Sequence, residues 1–138
     1  MDEADRRELE GAAPAPLPPL ARAMVIAGTV ASVALAAHQL FNWQVFGIVL
    51  IEGRYLYILG AIFLAMTFLV FPVSREKGPG LLDWTPAVLA GAAGTYFAWT
   101  ADQSLEQGWE YAAPEEAAWI SIIFYLLILE GTRRAGGL

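Results

Sequence analysis

Three stretches contain no Asp, Glu, Lys or Arg: Ala23 to Ile51, Tyr55 to Ser74 and Trp84 to Ala101. Uncharged runs of about eighteen residues or more mark segments that cross a bilayer, whose hydrocarbon core is ~30 Å thick. Composition agrees, since 57% of the 138 residues are hydrophobic and 16% charged, against about a quarter charged in soluble globular domains. The chain therefore reads as an all-α membrane protein. At ~20 residues per span, its length holds four transmembrane helices and little outside the membrane.

Residues 1–19 read as a flexible tail: Met1 to Glu10 is strongly acidic and lacks the basic flank and cleavage site of a secretory signal, and four prolines between Gly11 and Pro19 favour an extended connector. The four-helix unit occupies 20–138. Its first span runs over about 20–41, where Gly28, Ser32 and Ala36 recur every fourth residue and form a smooth stripe for close helix approach. A straight helix through the whole first uncharged run would be ~43 Å long, too long for the core. Asn42, Trp43 and Gln44 mark its exit, and Val45 to Ile51 is expected to form a short interfacial helix.

The second span, about 55–73, is apolar all round and ends at Phe71-Pro72. The third, about 84–101, carries Gly91 and Gly94 among alanines, a packing surface rather than a lipid-facing one. The fourth has only thirteen uncharged residues, Ala117 to Leu129, but Pro114, Glu115 and Glu116 suit a helix start and Arg133 and Arg134 a helix end, which sets it at about 114–134.

Four spans with both termini in the cytoplasm place seven of the eight Lys and Arg residues inside: Arg6, Arg7, Arg22, Arg75, Lys77, Arg133 and Arg134. Arg54 alone falls outside. The outer loop from Asp102 to Glu116 then holds Asp102, Glu106, Glu110, Glu115 and Glu116 and no basic residue. It is either a solvated loop kept acidic by topology or a docking surface for a basic patch on a soluble partner.

Chemistry inside a membrane needs buried ionisable groups, and mid-span positions offer almost none. His38 is the sole histidine, so one chain cannot ligate a haem from both sides; it reads as a hydrogen-bonding interface residue, or as a ligand completed by a partner. Glu130 sits one turn before Arg134, which fits either an i,i+4 ion pair at the helix end or, with Arg133, a contact to another subunit. Phosphate loops, Ser/His/Asp sets and metal-ligand clusters are missing from the pattern, as are cysteines. No catalytic, cofactor or metal site is expected, and no basic patch suits nucleic acid.

The ordered series Gln39-Leu40-Phe41, Phe46-Gly47, Arg54, Phe71-Pro72, Asp83-Trp84, Tyr96 and Glu130-Gly131-Thr132-Arg133-Arg134 resembles the small membrane (DctQ-like) component of TRAP transporters, and most of all its TAXI-type branch. The likeness covers about Leu20 to Gly136. Tyr57 stands where a histidine is common in that family, and Glu115 or Glu116 stands near a usual aspartate. The resemblance implies a bacterial inner-membrane symporter in which a periplasmic binding protein delivers an organic acid or similar solute to a large permease subunit. In that scheme the small subunit is not an enzyme and holds no substrate; it braces the large one, within membrane lipid. Gly28, Ser32, Ala36, Gly91, Gly94, Glu130, Arg133 and Arg134 are then the expected subunit interface, and Glu106, Glu110, Glu115 and Glu116 the expected periplasmic docking residues. Because the chain ends soon after the fourth span, it reads as a separately encoded subunit, unless it is a fragment of a fused permease. The small subunit of a tripartite tricarboxylate transporter, or a membrane anchor of an enzyme complex, remains an alternative.

Overall fold

Proline sets where the first long helix begins. Pro18 is extended (φ −61°, ψ 156°) and Pro19 occupies the first helical turn, where a missing N–H costs nothing. In the computed structural model, which describes residues 2–12, 17–44, 47, 50–74 and 76–137, all the regular structure is helical. The order is α1 (Glu3–Ala12), α2 (Pro19–Phe41), α3 (Glu52–Val70), α4 (Leu81–Trp99), α5 (Ala101–Glu106) and α6 (Glu115–Ala135).

Within the tail read as flexible lies α1, whose Ala, Glu, Arg and Leu residues are strong helix formers. An Arg7–Glu3 pair at 3.4 Å lies along it, too exposed to add much. Val45, Phe46, Ile48 and Val49, on which the expected interfacial helix rests, lie outside the described residues, as do Arg75 and four residues of the proline connector.

Each long helix stops for a local reason. Asn42 closes α2 in the left-handed region (φ 46°), which asparagine tolerates well. Pro72 ends α3, since the residue before a proline is pushed out of helical geometry and Phe71 has already left it (φ −113°, ψ 70°). Two starts differ from the sequence reading. Helix α3 begins at Glu52 and α4 at Leu81, each three residues before the expected boundary, so Glu52, Arg54 and Asp83 are helical. A charge in a first turn does not end a helix, and an acid there is favoured by the dipole. The acidic segment read as a loop also contains the short helix α5.

Helix α3 is the centre of the arrangement, packing on α2, α4 and α6, while α4 also packs on α6. The core is Leu64, Phe68 and Leu69 of α3 with Ala87 and Ala90 of α4, covered by Val25, Trp84, Phe124 and Leu127. Neighbours in sequence run antiparallel: Gly28 faces Met66, and Arg54 reaches Ala98. One end therefore carries Arg22, Lys77, Arg133 and Arg134. The opposite end carries Arg54 with Asp102 and the acids that follow it.

Two helices, α2 and α3, are long and apolar enough to cross a membrane. Of their most apolar stretches only 11% and 17% of residues are buried within the chain. Leu20, Ile26, Val30 and Val33 of α2 are each more than half exposed, as are Trp119, Tyr125 and Leu126 of α6. Apolar surface on this scale is what a lipid or protein partner covers.

Candidate functional site

Where the α3–α4 loop meets the end of α6, four charged side chains converge. Asp83, in the first turn of α4, is 3% exposed at its side chain and accepts three hydrogen bonds. Two come from backbone N–H groups, Gly80 at 3.0 Å and Val73 at 2.9 Å, so the carboxylate ties down both ends of the loop that precedes it. The third comes from Arg134 Nη1 at 2.6 Å. Arg134, 9% exposed, also donates from Nε to Glu130 at 2.7 Å and lies 5.0 Å from the centre of the Phe68 ring. One guanidinium thus joins α3, α4 and α6.

Pro86 explains a further contact. It lacks the N–H that would serve the carbonyl of Leu82 one turn earlier, and that carbonyl accepts from Arg134 Nη2 at 3.4 Å. Arg133 closes the group by a forked contact with Glu130, Nε to Oε2 at 2.8 Å and Nη2 to Oε1 at 2.7 Å. Two acids and two arginines balance in formal charge. Asp83 sits at the positive end of α4 and both arginines at the negative end of α6, so the helix dipoles favour the same placement.

At the other end, Arg54 of α3 donates from Nε to the Ala98 carbonyl at 2.9 Å and from Nη2 to Asp102 at 2.5 Å. This pair is more open, with 29% and 59% of the side chains exposed. It ties the start of α3 to the end of α4 and the first turn of α5. Glu106, Glu110, Glu115 and Glu116 lie beyond it, all exposed.

Between the two ends, contact is made through small residues. A Cβ on Gly94 would run into Ala61 and come within 3.1 Å of the Tyr57 carbonyl, which marks the closest approach of α3 and α4. A Cβ on Gly28 would meet Met66 Sδ at 2.7 Å, and one on Gly131 would meet Leu64 Cδ1 at 2.8 Å. Ser32 is buried and bonded to the Gly28 carbonyl at 2.7 Å, and Ala36 is half-buried. Gly28, Ser32 and Gly94 therefore serve packing within this chain. Gly91 does not, because nothing lies within 4 Å of its missing Cβ.

Of the expected interface set, the structure brings Glu130, Arg133 and Arg134 together and adds Asp83, which sequence reasoning left just outside the third span. The available signal was an acid three residues after Gly80 at the start of an apolar run, the position from which a side chain reaches back to the helix start. The Nδ1 of His38 is buried and has no hydrogen-bond partner among the described residues. Among those residues no three His, Asp or Glu side chains group as a metal site. Two polar fasteners thus stand at opposite ends of an apolar, small-residue seam. No protein family, characterised protein or solved structure matches this chain.

Proposed function

We propose that this chain is the small, non-catalytic membrane subunit of a TAXI-type TRAP transporter, which braces a large permease subunit during ion-gradient-driven uptake of an organic acid or similar solute. In this reading α2, α3, α4 and α6 all span a bacterial inner membrane. Their lengths of ~34, 28, 28 and 31 Å suit a ~30 Å core. The end with Arg22, Lys77, Arg133 and Arg134 faces the cytoplasm together with both termini, and the acidic end faces the periplasmic binding protein.

The observation that carries the proposal is where the charge lies. Both fasteners join helix ends, and the long middle stretches of the helices present apolar and small side chains, as a scaffold element would. A subunit that moved a proton or ion itself would need ionisable groups along its spans. Exposed apolar faces on α2 and α6 leave room for a larger partner within the same membrane. The ordered motifs that resemble the TRAP small subunit supply the identity of that partner.

Tagged protein extracted from its own membranes in mild detergent tests the reading directly. A large multi-span permease recovered in near-equal amount is the expected result. A soluble enzyme or a haem protein in its place would overturn the reading, and His38 would become the residue to replace.

A further inference from the structure

Along the seam between α3 and α4, two cavities share part of their lining. One, of about 460 Å³, is lined by Arg54, Ile58, Thr95, Ala98 and Trp99. The other, of about 220 Å³, is lined by Ile58, Ala61, Ile62, Ala65, Gly91 and Thr95. Ile58 and Thr95 belong to both, so they form one continuous trough. Its floor is apolar, it is open at Gly91, and its one charged wall residue, Arg54, stands at the end.

We propose that this trough holds one phospholipid with an amine headgroup, of the phosphatidylethanolamine type, from the leaflet at the acidic end. The proposal rests on the membrane-spanning part of the reading above and not on the transporter assignment. Three observations carry it. The first is length: Arg54 and Ala65 lie ~16 Å apart along α3, which matches half of a ~30 Å core. A chain anchored at Arg54 therefore runs from the interface to the midplane.

The second is the head of the trough. Arg54 spends Nε on Ala98 and Nη2 on Asp102, while Nη1 has no hydrogen-bond partner among the described residues. Guanidinium groups bind phosphate oxygens well. Trp99, 84% exposed beside it, suits the headgroup level. The third is sign. Glu52, Asp102, Glu106, Glu110, Glu115 and Glu116 share this end with Arg54 as its described basic residue, so a lipid of net negative charge is repelled and a headgroup carrying an ammonium is favoured.

Gly91 offers a clean test because nothing lies within 4 Å of a Cβ placed there, so a side chain can enter the trough without a clash at its root. The detergent-purified full chain is incubated with equal amounts of phosphatidylethanolamine and phosphatidylglycerol, stripped of free lipid, and weighed by native mass spectrometry. One phosphatidylethanolamine per chain is expected, with at least tenfold less phosphatidylglycerol. Gly91→Phe should lower the retained lipid about tenfold with unchanged helix content. A phosphatidylethanolamine carrying a photoreactive group in its acyl chain should label peptides holding Ile58–Ala65 and Gly91–Thr95 in the unaltered protein, which keeps the test valid if the variant misfolds. Overturning results are equal retention by Gly91→Phe, preference for phosphatidylglycerol, no retained lipid, or labelling elsewhere. If Gly91→Phe instead expels a second polypeptide and leaves the lipid content alone, the trough holds a partner helix and the proposal fails. Carbonate washing of the membranes separates the two readings: a chain released by it refutes membrane spanning, whereas a chain retained but lipid-free refutes this proposal alone.

Discussion

Removal of Asp83 should be the most damaging single change of a polar side chain in this protein. Asp83→Ala strips the acceptor from three donors at once, the buried Arg134 guanidinium and two backbone N–H groups whose bonds to it are part-buried. A buried donor left dry costs about 1–3 kcal/mol, and less where water reaches it, as it can at the exposed Val73 and Gly80, so most of the cost falls on the Arg134 pair. Arg134 keeps Glu130, so its charge is not wholly uncompensated. Breaking a buried pair from one side costs about 3–5 kcal/mol, and we expect ~4 kcal/mol here. Arg134→Met should be milder, at ~2 kcal/mol, because Asp83 retains two N–H donors at the positive end of α4. The double variant should cost less than the sum by ~2 kcal/mol, since each single change strands the other partner. Reversible unfolding by sodium dodecyl sulfate in mixed micelles, read by tryptophan fluorescence with Trp84 beside the cluster, measures all three. Additivity within ~0.5 kcal/mol would refute the coupling. A cost below ~1 kcal/mol for Asp83→Ala would refute the fastener itself.

Gly94→Val should force α3 and α4 apart and destabilise by ~2 kcal/mol or more, whereas Gly91→Ala should stay within ~1 kcal/mol; the same unfolding assay separates them. Asp102→Asn should cost at most ~1 kcal/mol, because the Arg54–Asp102 pair is largely open to solvent. The chain has no cysteine, so single cysteines report topology: a membrane-impermeant maleimide applied from the periplasmic side should label Ser104→Cys and spare Lys77→Cys, and equal labelling of both would refute the four-span orientation.

The presence of the four long helices was legible because charge is excluded from long stretches, a requirement set by burial against lipid or protein and not by local propensity. Their starts were legible less well. Glu52, Arg54 and Asp83 look like boundaries when charge is taken to end a span, yet each lies within the first turn of a helix whose end is polar. Helix α5 was missed because Ala101–Glu106 is too short to show a period. Gly91 and Gly94 cannot be told apart in the sequence, but three residues turn a helix by most of a revolution, which puts Gly94 against Ala61 and Gly91 beside open space. The stripe of Gly28 and Ser32 was visible, while its partner was not, since nothing local points to Met66. The Asp83–Arg134 contact spans 51 residues, and no pattern within either segment announces the other.

That separation has a consequence for how the protein is made. When α4 leaves the ribosome, Asp83 can already take the N–H groups of Gly80 and Val73, but its counter-charge is still to be synthesised. The last helix must be threaded into place before the carboxylate is neutralised. Until then the Asp83 carboxylate is held by backbone N–H groups alone and lacks the guanidinium that later covers it. A variant that delays docking of α6 should therefore be cleared from the cell faster than its equilibrium stability alone would indicate.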